Sequence, residues 1–510
     1  MLKIGYGKEI LVLGLALTMI SAPAAAMDTF FAGPRAMGMG GANVATVSDT
    51  SAQYYNPAAF GFFGRKNADE SRSDSDNNDM GRKDFGVDLT AGGGYRLHNE
   101  FGSYLDTLSD IDINQLSDYG VNNSDDLKQL VDLVATLDGL DDPGNAITAD
   151  VSAGFGIRAG HFAIGARGFM QANGRVIDLD KTNLGMTSDI AIDLNSQLSQ
   201  PGLIADNGEP GVLSPSQISL LQGAGLTAVD AIRNLELAII QQGLSQQEID
   251  SAIEILANDG NSDSPGLIQL TQGSATGGGS LEDNTTSVLL SGFGVVEVPI
   301  SYGYAFNDHL SIGGNIKLMQ GRVYGNQVIV FDDDADDILG QTDENYEQTT
   351  TFGVDLGVMA RFPMVNFGIV GRNLNSPKFY GIKKDGIKIV DDVKVKPQFA
   401  AGVAFIPFTT LTLEVDYDLT KNETAFTGYD TQNLGFGVEW DAFRFLALRA
   451  GTYKNLAEDD IGWVYTAGLG LNMWLMRLDV AGALAKEKQE FDGDEMPQET
   501  RVMAQLSVDF

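Results

Sequence analysis

Gly33-Pro34-Arg35-Ala36-Met37-Gly38-Met39-Gly40-Gly41-Ala42, followed after a polar turn by Gln53-Tyr54-Tyr55-Asn56-Pro57-Ala58-Ala59-Phe60, decides how the chain is read. Its glycines permit close backbone approach but add no side chains to a core. Asn56-Pro57 is a turn signal, with Pro57 fixing φ and Asn56 pushed out of the helical region. A segment of this kind is ordered only if something encloses it. It reads as a plug, Gly33 to Phe60, for which the rest of the chain is the container.

Upstream, Lys3 and Lys8 precede an apolar run from Ile10 to Ile20, and Ala24-Ala25-Ala26 offers a small-residue cleavage site. Residues 1–26 are therefore expected to be a cleaved export leader; as a membrane anchor the run is too short. Downstream, Arg65 to Lys83 is rich in Asp, Ser and Asn and closes a plug-and-linker region, 27–83. Asp74, Asp76, Asn78 and Asp79 lack the glycine and closing glutamate of a calcium loop and read as solvated linker.

From residue 84 to 510 the pattern has period two. Phe85, Val87, Leu89 and Ala91 open it, and Val502, Ala504, Leu506, Val508 and Phe510 end it. Between them come paired segments turning at Ala159-Gly160, Asn307-Asp308, Pro363, Pro407-Phe408, Asp441-Ala442 and near Trp474. About fourteen strands result, and short connections alternate with long ones. No run of eighteen uncharged apolar residues follows the leader, so a chain entering a bilayer must do so as closed strands. The fold class expected is all-β, a transmembrane antiparallel barrel with an N-terminal plug in its lumen. A soluble β-sandwich explains the alternation equally well, but neither the regular short–long loops nor the apolar last residue.

Tyr302, Tyr304, Phe306, Phe405, Trp440, Phe443, Trp463 and Trp474 cluster near strand ends, as an interfacial girdle requires. Two long loops, 98–147 and 174–292, are expected to hold helices. Leu127, Leu130, Val131 and Val134 have helical spacing, Ser245 with Glu248 forms a capping box, and Thr227 with Asp230 begins another helix.

A net charge of −36 from 33 Lys+Arg against 69 Asp+Glu excludes a nucleic-acid surface, which needs clustered positive charge. The chain has no cysteine, so thiolate chemistry and disulfides are absent. No metalloprotease, P-loop, serine-hydrolase or dinucleotide pattern occurs, and no catalytic residue, metal site or cofactor is expected. His161 and His309 lie beside short turns and read as interfacial residues. Asp332-Asp333-Asp334-Ala335-Asp336-Asp337 reads as a solvated outer loop.

If the apolar faces point to lipid, the alternate positions line the lumen: Arg167, Asn315, Lys317, Asp355, Arg361, Arg372, Glu414, Asp416, Glu439, Arg449, Arg477, Asp479, Arg501 and Gln505. Both signs occur, so they are expected to pair and to hold the plug. By sign, Arg35 is matched with Glu414 or Asp416. Pro299, beside Glu297, cannot donate to a ladder and is expected to mark a bulge or gap, hence a lateral opening to the bilayer.

Arg35-Ala36-Met37-Gly38-Met39-Gly40-Gly41-Ala42, then Asn56-Pro57-Ala58, then about fourteen strands, resembles the FadL-type outer-membrane transporter superfamily. Leu413 to Thr420, Leu448-Arg449-Ala450-Gly451 and Tyr465 to Leu471 look more like its TraF-type conjugal-transfer branch. The resemblance implies an outer-membrane barrel of a Gram-negative bacterium that passes small hydrophobic molecules, with the Asn-Pro-Ala segment in the lumen. The apolar end at Phe510 resembles the signature read by the outer-membrane insertion machinery. The rival expectation is a barrel serving conjugation or export that docks an envelope protein partner through its outer loops.

Overall fold

The computed structural model describes residues 31–63 and 85–509, other than 113–114, 117–118, 143, 181–192, 258–267, 269–283, 330–345, 385–386, 389, 391, 425, 427, 443–444, 474 and 492–493. The leader, the connector Arg65–Lys83, the run Asp332–Asp337, and Phe443, Trp474 and Phe510 lie outside the described residues.

Fourteen antiparallel strands close into a barrel. In chain order they are β1 Phe85–His98, β2 Ala146–Ala159, β3 Phe162–Asp178, β4 Ser287–Ala305, β5 Leu310–Ile329, β6 Tyr346–Arg361 and β7 Val365–Arg372. Then follow β8 Gln398–Phe408, β9 Leu411–Asp418, β10 Asn433–Ala442, β11 Leu446–Asn455, β12 Val464–Met473, β13 Met476–Ala485 and β14 Glu499–Asp509. Each pairs with its neighbour in sequence, and β14 returns to β1 in a continuous register from Gly86–Asp509 to Arg96–Glu499. Closure leaves no edge strand, so the wall strands find their hydrogen-bond partners within the barrel, as a bilayer requires.

Alternation places the two sets of side chains. Leu89, Ile164, Ile300, Ile316, Phe352, Leu469 and Val502 are exposed on the outside, while Arg167, Lys317, Asp355, Glu414 and Arg449 are buried within. No described helix is long and apolar enough to cross a membrane, which says nothing of strands. At the end where β2–β3, β4–β5, β6–β7, β8–β9 and β10–β11 turn tightly, Phe162, Phe306, Phe362, Phe408 and Phe445 stand exposed in a ring. This aromatic edge fits a membrane–water interface.

The long loops gather at the other end. The β1–β2 connection carries α3 Phe101–Asp110 and α4 Ser124–Asp141. The β3–β4 connection carries α5 Leu194–Leu198, α6 Pro215–Ala224, α7 Val229–Gln242 and α8 Gln246–Ala257. The two insertions share one apolar core, including Leu127, Leu130, Val134, Leu235, Ile239, Ile253 and Leu256, separate from the barrel interior. The Ser245–Glu248 capping box forms: Glu248 accepts from the Ser245 amide at 2.6 Å. Thr227 and Asp230 do not cap α7, whose cap position is Ala228; the Thr227 amide instead donates to Asn195. The second insertion runs from 179 to 286 rather than 174 to 292, because β3 and β4 continue pairing past Gly174 and before Gly292, out to Asp178 and Ser287.

A charge on the outer face has no partner in hydrocarbon. Ile316→Arg, within the apolar belt, is expected to destabilise the barrel by about 2–4 kcal/mol, measured by reversible denaturant unfolding in phospholipid vesicles; an unchanged midpoint would contradict a lipid-facing Ile316.

Candidate functional site

Residues 31–63 lie inside the barrel and are almost wholly buried. They form two short helices, α1 Pro34–Gly38 and α2 Ala52–Tyr55, and a 3-10 turn at Pro57–Phe62. So little regular structure leaves many backbone groups without internal partners, and a buried backbone group must find one. The inward side chains of the wall supply them.

Asp416 on β9 accepts the amides of Asn43 and Val44 through Oδ2 at 2.7 and 2.8 Å. Glu414, two residues earlier on the same face, accepts the Ala45 amide at 2.7 Å and the Thr46 hydroxyl. From the opposite side, Arg167 on β3 donates to the carbonyls of Ala32 at 3.1 Å and Thr50 at 2.9 Å. Asn315 on β5 donates to Gln53 O at 2.5 Å, and Ser311 to Ala58 O at 2.6 Å.

Arg35 reaches neither Glu414 nor Asp416. Its guanidinium forks onto Glu439 on β10, with Nη2–Oε1 at 2.8 Å and Nε–Oε2 at 3.1 Å. The two carboxylates expected to bind it are already committed to plug amides, so sign alone chose the wrong acceptor. Glu439 also takes Arg449 Nε at 2.5 Å, Arg449 reaches Asp479 at 2.7 Å, and Arg477 reaches the same Asp479 at 2.8 Å. This buried chain ties the plug to β10, β11 and β13. Burial opposes the charge on Arg35, but the adjoining Glu439 carboxylate outweighs it and holds the guanidinium above its usual range.

The glycines of plug and wall meet directly. A Cβ on Gly40, whose φ is +64°, would lie 2.4 Å from Thr452 O. One on Gly451 of β11 would lie 2.4 Å from the Gly40 amide nitrogen, and one on Gly38 would lie 3.1 Å from the Gly468 α-carbon. Gly41 has φ +89° and needs the left-handed region for its turn. Asn56 spans plug and wall: its amide donates to Val44 O at 3.0 Å and Val358 O at 3.1 Å, while Oδ1 caps the turn at Ala58 N. Pro57 stands in the first position of that turn, and its carbonyl crowds Gly313. His161 binds Phe60 O at 2.8 Å through Nδ1, and His309 binds Arg361 O at 2.9 Å in the same way.

The lumen has two characters. On the β9–β14 flank charges dominate. On the β3–β5 flank, Phe169, Phe293, Val295, Met319 and Val323 form an apolar patch with Tyr54 of the plug. The β7–β8 loop folds in over it, placing Phe379 against Phe293 with ring centres 4.7 Å apart. Just below, Lys317 meets Glu297 at 3.2 Å and Asp355 at 3.3 Å, and donates to Asn373 at 2.9 Å. Arg361 lies over Phe62 and Arg372 over Tyr54, at 4.6 and 4.5 Å from the ring centres.

Beside this knot the β3–β4 ladder omits two pairs, Gly165 with Pro299 and Ala166 with Val298, although the register is the same above and below. The β4–β5 ladder is continuous there. Pro299 thus marks a gap on one side, without a bulge. Gln53 of the plug donates to Pro299 O at 3.2 Å and Ser301 Oγ at 3.0 Å. Asn43, Thr46 and Gln53 were not singled out from sequence; polar residues in an irregular segment carry no period that shows which way they face.

Removing Glu439 leaves two buried arginines facing each other. Glu439→Ala is expected to cost about 3–5 kcal/mol and to open the plug to limited proteolysis at Gly33–Phe60; a plug as resistant as in the parent protein would contradict the anchoring role.

Residues 53–418 match the family model described as F plasmid transfer operon, TraF, protein. No curated protein matches the chain. Among solved structures, the Ralstonia pickettii toluene transporter TbuX is similar at 11% identity and a TM-score of 0.44, over 94% of this chain and 98% of that one. The P. putida toluene transporter TodX is similar at 12% identity and a TM-score of 0.43, over 95% and 99%. A Pseudomonas aeruginosa FadL homologue is similar at 11% identity and a TM-score of 0.40, over 96% and 100%. With a family model matched over 53–418, from the second helix of the plug to the end of β9, the chain belongs to the TraF family.

Proposed function

We propose that this barrel sits in the outer membrane of a Gram-negative bacterium and passes small hydrophobic compounds inward, past the plug, by passive transport. The observation that carries the reading is the apolar flank of the lumen. Phe379, Phe293, Phe169 and Val295 line the lumen towards the plug, and the ladder is interrupted at Gly165 and Pro299, beyond the Lys317–Glu297 pair. A compound that favours apolar surroundings gains by leaving through such a gap into lipid rather than through the charged flank. In this reading Gly38, Gly40, Gly41, Asn56, Pro57 and Ala58 form the seal, Arg35 its anchor, and Glu297 and Pro299 the margin of a lateral exit. Export would use the leader, and assembly would use the outer-membrane insertion machinery through Phe510.

A second reading draws on the helical layer. Its two insertions have their own core, and across 99–145 and 179–286 the sole basic residues are Lys128, Lys181 and Arg233. The family description names a product of a transfer operon. A layer so acidic suits an envelope partner with a basic face, engaged in conjugation or export.

Cells with and without the protein, given a labelled alkylbenzene, separate the two readings: faster uptake with the protein supports passage. Pro299→Ala restores a backbone donor to the ladder and is expected to slow that uptake several-fold, whereas an unchanged rate would remove the lateral exit. Equal uptake with and without the protein, together with loss of plasmid transfer on deletion of 179–286, would favour the partner-docking reading.

A further inference from the structure

The β7–β8 connection is tied to the wall at its base and lies in notches of the wall beyond it. The Asn373 amide donates to Asp355 at 2.8 Å, the Leu374 amide to Val354 O at 2.9 Å and the Asn375 side chain to Phe352 O at 2.7 Å. Asn373 and Ser376 then turn the chain, with φ of +54° and +53°. A serine sits in the left-handed region only under strain, and strain of this kind gathers at switch segments. Past this corner many of the bonds run within the connection. Val395 N donates to Pro377 O at 2.9 Å, Gly381 N to Asp392 at 3.1 Å, and Lys378 pairs with Asp392 at 2.8 Å. The Tyr380 amide reaches Thr349 on β6 at 3.0 Å.

Two glycines of β5 make room for this segment. Phe379 fills the notch at Gly321, where a Cβ would lie 2.5 Å from its Cε1 and 2.9 Å from Cε2 of Phe293. Val390 fills the notch at Gly325, where a Cβ would stand 3.5 Å from the valine Cβ. Phe379 is wholly buried, its ring centre 4.7 Å from that of Phe293, whereas Tyr380 beside it is exposed. Residues 377–382 therefore have solvent on one side and the apolar flank on the other.

We propose that 377–382 is a gate over the apolar flank, shut in this structure, with Ser376 as its hinge and Phe379 as its stopper, and that it opens to a guest bearing one aromatic ring. Opening exposes the Phe379 ring and loses its contact with Phe293. A guest shifts that balance only by binding the open state better. An aromatic ring does so by taking the vacated seat between Phe293 and Gly321, where it recovers the lost contact. The gate rests on the passage of hydrophobic compounds proposed above.

The chain has no cysteine, so a lock can be introduced without competing thiols. Gly325→Cys with Val390→Cys places the β-carbons 3.5 Å apart, within the range of a disulfide. Cells carrying the oxidised pair are expected to take up labelled toluene several-fold more slowly than the same cells after reduction. Phe379→Ala, which serves also where the pair fails to assemble, is expected to take it up faster than the parent. Uptake indifferent to the cross-link, or no faster with Phe379→Ala, overturns the gate. Should parent cells take up toluene no faster than cells without the protein, passage itself fails, and the gate is read on the purified barrel in detergent. There a nitroxide on Tyr380→Cys is expected to gain mobility with toluene and not with hexane; an unchanged spectrum, or the same change with hexane, overturns the gate independently of passage.

Discussion

Hydrocarbon offers a peptide group no hydrogen-bond partner, and the rest of this molecule follows from that constraint. The wall satisfies it by joining β1 to β14, which leaves no open edge. Closure then divides the side chains of every strand into a lipid-facing set and a lumen-facing set. The second set is enclosed, and enclosed polar groups need partners of their own. The plug is where they find them.

The plug is held by an exchange in both directions. Its amides go to Asp416 and Glu414, its carbonyls go to Arg167, Asn315 and Ser311, and its arginine goes to Glu439. These contacts come from strands all round the wall, so loss of one leaves the others in place. The glycine–glycine approaches at Gly38–Gly468 and Gly40–Gly451 let the backbones come close enough for those bonds to form. On the apolar flank the plug is held by ring packing and by Gln53 at the interrupted ladder.

The helical layer is a separate solution to burial. Leu127, Leu130, Leu235 and Ile253 pack among themselves across two insertions that are far apart in sequence. The layer touches the barrel through Leu97, Phe101, Leu140 and Val176, a smaller cluster at the end of β1 and β3.

Alternation with period two was legible throughout, because each inward or outward position repeats the same physical choice between lumen and lipid. It located the strands and their tight turns. The capping box at Ser245 and Glu248 was equally plain, since its partners are three residues apart. The partner of Arg35 was not legible. Glu414, Asp416 and Glu439 all face inward, and which of them meets Arg35 depends on how an irregular segment lies across strands hundreds of residues away. The ends of β3 and β4 were misplaced for a related reason: their last pairs are held by each other and not by any local pattern. Local periodicity determined the container; only the packed structure decided which groups touch, because contacts across a closed wall are set by register and by the path of the segment inside it.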